Sequence, residues 1–235
     1  MKLKLWIIHI FSLKLGVFNE YCNMKKITLA ILFLVLGSLS VVAQQKITLE
    51  EIWGGAFRTK GMDALSAMKN TNQYTVLNVD RTSRTFQIDL YDFATLKKVN
   101  TLIDTKNHSE LKSIDSYTFN AAETQLLIGM NSDAIYRHSS VADFYIYDIA
   151  SKKLQKIADY KIQEPTFSPD GKKIAYGYQN NLYVYDLASA KHTQITSDGK
   201  KNHIINGITD WVYEEEFGFV RAFEWSADSK HLAFL

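Results

Sequence analysis

Two short phrases recur along the chain, and their recurrence limits the fold more than any other feature. The first is an alternating apolar stretch that closes on an aromatic residue and an aspartate. It occurs as Ile88-Asp89-Leu90-Tyr91-Asp92-Phe93, as Tyr145-Ile146-Tyr147-Asp148-Ile149 and as Leu182-Tyr183-Val184-Tyr185-Asp186-Leu187. Each copy is followed by a small polar pair (Ala94-Thr95, Ala150-Ser151, Ala188-Ser189) and then by basic residues. Alternation with a period of two marks a half-buried strand, and the small polar pair is turn chemistry. The second phrase runs from an aromatic residue through a turn into an apolar strand. Phe167-Ser168-Pro169-Asp170-Gly171-Lys172-Lys173-Ile174-Ala175-Tyr176 is its fullest copy. Trp225 to Phe234 echoes it, and Phe119 to Ile128 is a looser third copy.

The closing aspartates Asp92, Asp148 and Asp186 lie 56 and 38 residues apart, and the aromatic starts Phe119, Phe167 and Trp225 lie 48 and 58 apart. Periods of this size, with frequent turns and aromatic and β-branched strands, fit the four-stranded blades of a β-propeller. The expected fold is therefore all-β, an incomplete β-propeller of about three to four blades. A lone blade cannot bury both faces, so the blades must stack, and an unclosed stack leaves an open edge. No long amphipathic helix is predicted; Leu49 to Trp53 and an acidic cluster near residue 214 can each form a short one.

The composition supports a packed domain and removes several functions. Of 235 residues, 46% are hydrophobic and 13% aromatic, which excludes a disordered chain. The formal charge of +2 is set by residues 1–43, which hold five lysines and one acid; without them 22 basic residues face 24 acidic ones, a balance of −2. That balance offers no electrostatic footprint for nucleic acid. Cys22 is the single cysteine, and the six histidines show no paired spacing. Neither a thiolate metal site nor a disulfide is expected beyond residue 43, and no metal or cofactor is predicted.

Met24-Lys25-Lys26 precedes an apolar run from Ile27 to Val42, which ends in Val41-Val42-Ala43 before Gln44. A short basic region, an apolar region and a small-residue exit are the parts of a secretory signal peptide. The reading is a start at Met24, cleavage after Ala43 and residues 1–43 as leader, which sends the remainder to the periplasm or the cell surface. The alternative is an uncleaved anchor over residues 27–43, although the run is short of the ~20 residues of a bilayer span.

Asp210-Trp211-Val212-Tyr213-Glu214-Glu215-Glu216 concentrates three consecutive carboxylates behind two aromatic residues. One account is a helix start, with Asp210 as N-cap and the acids near the positive end of the dipole. The other is a cation site, in which two carboxylates converge on one ammonium. Adjacent strand residues point to opposite faces, so two neighbouring acids can share a cation only where the backbone is helical or turned. Within the stretch, Asp210 and Trp211 read as a cap and a packing anchor, and Glu214 as solvated or locally paired.

With Asn206-Gly207-Ile208-Thr209 before it and Trp225-Ser226 after it, this stretch resembles the propeller of the dipeptidyl peptidase IV family, within the prolyl oligopeptidase serine peptidases. Tyr136-Arg137-His138-Ser139, followed by Tyr145-Ile146-Tyr147-Asp148, resembles the family's blade with a substrate-facing arginine. Ile47-Thr48-Leu49-Glu50-Glu51-Ile52-Trp53 resembles the start of mature bacterial members. The resemblance implies an eight-bladed propeller, of which residues 44–235 are the N-terminal part. It implies that Glu215 and Glu216 bind the free amino terminus of a peptide and that Arg137 binds the carbonyl of its second residue, with cleavage after a proline or alanine there. It further implies a homodimer for the full-length protein and an α/β-hydrolase domain with a Ser, Asp, His triad. The 235 residues contain no G-x-S-x-G elbow, so no catalytic residue is assigned, and the expectation is an N-terminal fragment that is inactive alone. A competing reading, a non-catalytic periplasmic propeller that binds or scaffolds, explains the blades but not Arg137 or the acidic stretch.

Overall fold

The computed structural model describes residues 47–59, 61 and 64–235. The leader expected over residues 1–43 lies outside them. No described helix is long and apolar enough to cross a membrane. The chain divides after Gly61 into two units.

In the first unit, α1 (Leu49–Gly54) is set by its ends. Thr48 Oγ1 accepts from Glu51 N–H at 3.1 Å, and Glu51 Oε2 accepts from Thr48 N–H at 3.0 Å. This reciprocal capping box satisfies two donors that a helix start leaves orphaned. Gly55, at φ 78°, then ends the helix in the left-handed region.

The second unit is built of antiparallel sheets, as the repeats predict. Blade one comprises β1 (Leu65–Ala67), β2 (Gln73–Asp80), β3 (Thr85–Asp92) and β4 (Lys98–Asp104). A 3-10 turn, Thr105–Asn107, leads out of it. Blade two comprises β5 (Ser116–Phe119), β6 (Gln125–Ala134), β7 (Ser140–Asp148) and β8 (Leu154–Lys156). Blade three comprises β9 (Gln163–Phe167), β10 (Lys173–Tyr178), β11 (Asn181–Asp186) and β12 (Lys191–Gln194). A short helix, α2 (Trp211–Phe217), precedes a hairpin of β13 (Phe223–Trp225) and β14 (Leu232–Phe234). Each four-stranded sheet is a meander in chain order.

Both repeated phrases prove to be turns closed by their own side chains, and the second also links blades, as in the bond from Asp170 N–H to Ser229 Oγ at 3.0 Å. Asp92, Asp148 and Asp186 each end the third strand of a blade, and each Oδ1 accepts both the backbone N–H and the hydroxyl of the Thr or Ser three residues on, at 2.6–2.9 Å. The next residue, Leu96, Lys152 or Ala190, takes a positive φ of 54–58°, which closes the hairpin into the fourth strand. In the second phrase, Ser168 and Ser226 donate to Asp170 and Asp228 at 2.6 Å and accept from the N–H groups of Lys173 and His231. Asn120 does the same work in blade two, accepting from Thr124 and Gln125 N–H. Gly171, Ser229 and Glu123 occupy the equivalent left-handed position of the three turns. Side-chain bonds of this kind substitute for backbone pairing where a strand must reverse.

The blades stack through alternate faces of the same strand. On β6, Leu126 and Ile128 pack with Ile88, Ile103 and Tyr147 between blades one and two. Leu127 packs the opposite way, with Ile146, Ile162, Ile174 and Tyr176 between blades two and three. Ala175 and Leu182 then meet Ile208 and Phe223 of the last hairpin region. The two-residue period of the strand thus serves two cores at once. Burying each such side chain is worth about 1.5–3 kcal/mol.

Candidate functional site

Two segments that are remote in sequence meet at one edge of blade two. The first is the tip of the β6–β7 hairpin. The register slips between Met130 and Asp133, so β6 leaves its regular pairing before the turn. The tip, Ile135 to Ser139, closes on itself: Ile135 N–H donates to Ser139 O at 2.8 Å, and Tyr136 N–H donates to Ser139 Oγ at 3.2 Å. Arg137 stands at this tip with its side chain 72% exposed.

The second segment is α2. Asp210 is its N-cap, with Oδ1 accepting from Tyr213 N–H at 3.1 Å. Gly218 ends it at φ 72°. Below the helix the chain is pinched shut: Thr209 N–H donates to Val220 O at 2.9 Å, Thr209 Oγ1 donates to Phe219 O at 2.9 Å, and Ile208 bridges Arg221. The local sequence dictates this much, because an aspartate cap and a left-handed glycine bound a run that has to be helical between them.

A helix turns about 100° per residue, so the three consecutive glutamates face three directions. Glu214 faces inward and is 1% exposed. Its Oε1 accepts from the backbone N–H of His138 at 2.5 Å and of Ser139 at 3.2 Å. Glu215 is half-buried and its Oε2 lies 3.0 Å from Arg137 Nη1. Glu216 is exposed and makes no ion pair among the described residues. Arg137, Glu215 and Glu216, picked out in the sequence, are therefore neighbours: two on one helix, the third at 3.0 Å from the first of them. The helical backbone meets the condition for two adjacent acids to face one cation.

Two readings of this stretch require correction. Glu214 is neither solvated nor paired locally; it is the residue by which the helix docks on the hairpin tip. Burial works against its ionisation, but the Ser139 side chain and the backbone N–H groups of His138 and Ser139 outweigh burial and hold the carboxyl below the ordinary glutamate range. Trp211 is not a packing anchor: it is 53% exposed, because a helix of two turns offers one inward position and Glu214 occupies it. No sequence signal could have marked Glu214, since its partners are backbone amides 75 and 76 residues away.

A further acid senses this one. Burial raises the pKa of Glu164, on β9, the positive charge of Arg221 opposes that rise, and the negative charge of Glu214 adds to it. Arg221 is itself held by Thr166 Oγ1 at 3.1 Å and Glu224 Oε2 at 2.8 Å. Glu164, Thr166, Arg221 and Glu224 line a cleft of about 690 Å³ whose walls include the first strands of the blades.

Residues 120–235 match the family described as the dipeptidyl peptidase IV (DPP IV) N-terminal region. Among curated relatives, the prolyl endopeptidase FAP of Mus musculus is 35% identical over 136 residues, which are 55% of this chain and 18% of that protein. Dipeptidyl peptidase 4 of Felis catus is 39% identical over 127 residues, 52% of this chain and 16% of that protein. The crystal structure of Porphyromonas gingivalis dipeptidyl peptidase 4 superposes with a TM-score of 0.72 at 34% identity, covering 81% of this chain and 27% of that one. The chain thus spans less than a third of the length of each of these proteins. This match, and the blades shared with the bacterial peptidase at 34% identity, identify residues 120–235 as similar to the N-terminal region of dipeptidyl peptidase IV and the chain as an N-terminal part of a dipeptidyl peptidase IV-like protein.

Proposed function

We propose that this chain is the substrate-recognition propeller of a secreted serine exopeptidase that removes X-Pro or X-Ala dipeptides from peptide amino termini. Glu215 and Glu216 hold the substrate ammonium and Arg137 holds the carbonyl of the second residue. The bond-breaking residues belong to an α/β-hydrolase domain of the same protein, which the family resemblance implies, and the propeller supplies the measuring end of the site. The observation that carries this reading is the Arg137–Glu215 contact at 3.0 Å, made across 78 residues of sequence, with Glu216 exposed beside it.

The chemistry follows from donor and acceptor counts. A guanidinium has five N–H donors, and Arg137 has no described protein partner other than Glu215, so donors remain for a peptide carbonyl. Glu215 and Glu216 are acceptors only, which suits an ammonium and rejects an acylated amine. An extended chain advances at most ~3.3–3.6 Å per residue, so fixing the amine places the second peptide carbonyl about 7 Å away. That fixed distance is what turns a peptidase into one that counts two residues. Binding at the remote ammonium orients the bond to be cleaved. The homodimer and the export through residues 1–43 belong to the same proposal, and N-terminal sequencing that begins at Gln44 would support the second.

The test is hydrolysis by the full-length protein of a peptide with proline second, with its amine free or acetylated. Each charge-assisted bond to the ammonium is worth ~1.5–3 kcal/mol, so Glu215→Gln with Glu216→Gln should lower kcat/KM at least ~100-fold. The acetylated peptide should resist the unaltered protein. Equal turnover of both peptides, or full activity in the double variant, would overturn the clamp assignment, whereas hydrolysis of neither peptide by the unaltered protein would favour a non-catalytic binding propeller.

A further inference from the structure

We infer that Glu214 is a positioning residue of this site: it fixes the hairpin tip that carries Arg137 against the helix that carries Glu215 and Glu216. The inference rests on the substrate-clamp reading above and adds a residue that the clamp does not include. Three observations carry it.

First, the contacts of Glu214 and of Glu215 run side by side. Glu214 Oε1 holds His138 and Ser139 N–H, and the next residue on the helix holds Arg137, the residue before His138. Two successive helix residues therefore grip three successive residues of the tip. Second, the grip of Glu215 is weak by itself. Arg137 is 72% exposed although Glu215 is only 14% exposed, and a guanidinium that stands in water is held loosely by a single carboxylate contact. The two backbone contacts to a fully buried carboxylate are shielded from water, and hydrogen bonds to an ionised acceptor are shorter and stronger than neutral ones. The position of the Arg137 backbone is thus set by Glu214, and only the final placement of its side chain by Glu215. Third, nothing else described ties the tip to α2: the remaining bonds of Tyr136 and Ile135 stay within the turn.

Glu214 Oε2 is buried without a hydrogen-bond partner among the described residues. A glutamine at this position removes the negative charge while still offering one oxygen to His138 and Ser139, so it weakens the charge-assisted bonds without deleting them. Glu214→Gln is a graded perturbation of the grip with almost no change of volume.

If Glu214 acts through Arg137, its effect on catalysis must vanish when Arg137 is absent. The experiment uses the full-length protein and four forms: unaltered, Glu214→Gln, Arg137→Ala and the double variant. A misplacement of about 1 Å at a positioning contact can reduce turnover ~100-fold, so Glu214→Gln should lower kcat/KM at least tenfold in the unaltered background. In the Arg137→Ala background it should lower kcat/KM less than about twofold, while shifting Tm equally in both backgrounds. An equal fall in kcat/KM in both backgrounds would show a merely structural residue and overturn the inference. So would no fall in either. Should Glu214→Gln not yield folded protein, Glu214→Asp, which keeps the charge and shortens the reach, is run through the same cycle against the same criteria. If Arg137→Ala and the Glu215, Glu216 double variant leave activity intact, it is the clamp reading that fails, a result distinct from the two above.

Discussion

Gly177 on β10 faces Ile208, two residues before the cap of α2, and the gap between them is too small for a methyl group. A Cβ added at Gly177 would lie 2.6 Å from Ile208 Cγ1 and 2.8 Å from Ile208 Cδ1. Both are closer than real Cβ contacts come, and Ile208 is buried against Ala175, Leu182 and Phe223, so it has little room to retreat. Overpacking of this kind costs about 1–3 kcal/mol. Replacing glycine also removes freedom from the unfolded chain, which returns about 0.4–1 kcal/mol. The net expectation for Gly177→Ala is a loss of about 1–2 kcal/mol. Ile208→Ala alone should cost about 2–5 kcal/mol, as a large-to-small change in a packed site. In the double variant both clashing atoms are gone, so the overpacking component disappears and the total should fall short of the sum by about 1–3 kcal/mol. Urea unfolding followed by tryptophan fluorescence reads this directly, because Trp225 packs against the same cluster. Additivity within about 0.5 kcal/mol would refute the close approach. The same crowding should also displace Thr209 and Asp210, so Gly177→Ala should weaken capture of a free-amine peptide more than its stability loss alone explains.

Two further outcomes concern pH. Burial raises the pKa of Asp89, but bonds from Lys98, Thr101 and Asn78 at 2.7–2.8 Å outweigh it and leave the carboxyl below the ordinary aspartate range. A depressed carboxyl stabilises the fold above the unfolded pKa of ~3.9 and loses that contribution as pH falls through the folded value. Asp89→Asn should therefore cost about 1–3 kcal/mol at pH 7 and show a flatter urea midpoint than the unaltered chain between pH 4 and pH 2.5; parallel curves would contradict the network. His192 lies on the exposed strand β12, yet partial desolvation beside Tyr176 and Tyr185 lowers its pKa, against an opposing bond to the Ile157 backbone, and its Nδ1 lies 2.8 Å from Tyr176 Oη. Its neutral form is the one that fits, so stability is full above ~6.5 and declines as pH falls below it. His192→Gln should abolish a shallow fall in Tm between pH 7 and pH 5; an unchanged slope would sink the assignment.

The fold was legible because its instructions are local. Asp92, Asp148 and Asp186 bond residues three positions on, and Ser168 and Ser226 bond residues two and five away, so each turn is written within one short phrase that recurs once per blade. Strand order then follows from hairpins joined in sequence. What could not be read was the division of labour on β6, where Leu126, Leu127 and Ile128 are all apolar because the strand is sandwiched between two blades. A strand buried on both faces loses the alternation that would assign each side chain to a neighbour.

The acidic stretch shows the opposite limit. Glu214, Glu215 and Glu216 are the same residue type at consecutive positions, and nothing in their local pattern, apart from the family resemblance, ranks them. The helix rotates them by ~100° each, and the tip of blade two arrives from 75 or more residues away to meet two of the three. Two backbone N–H groups offset the charge of Glu214, and a guanidinium offsets that of Glu215. Glu216 keeps a charge with no counterpart among the described residues. Of the three acids that look mutually repelling in the sequence, one is thus solvated by neutral backbone donors, one is paired with a guanidinium, and Glu216 alone has no partner among the described residues, which is where the proposed peptide ammonium would add a contact.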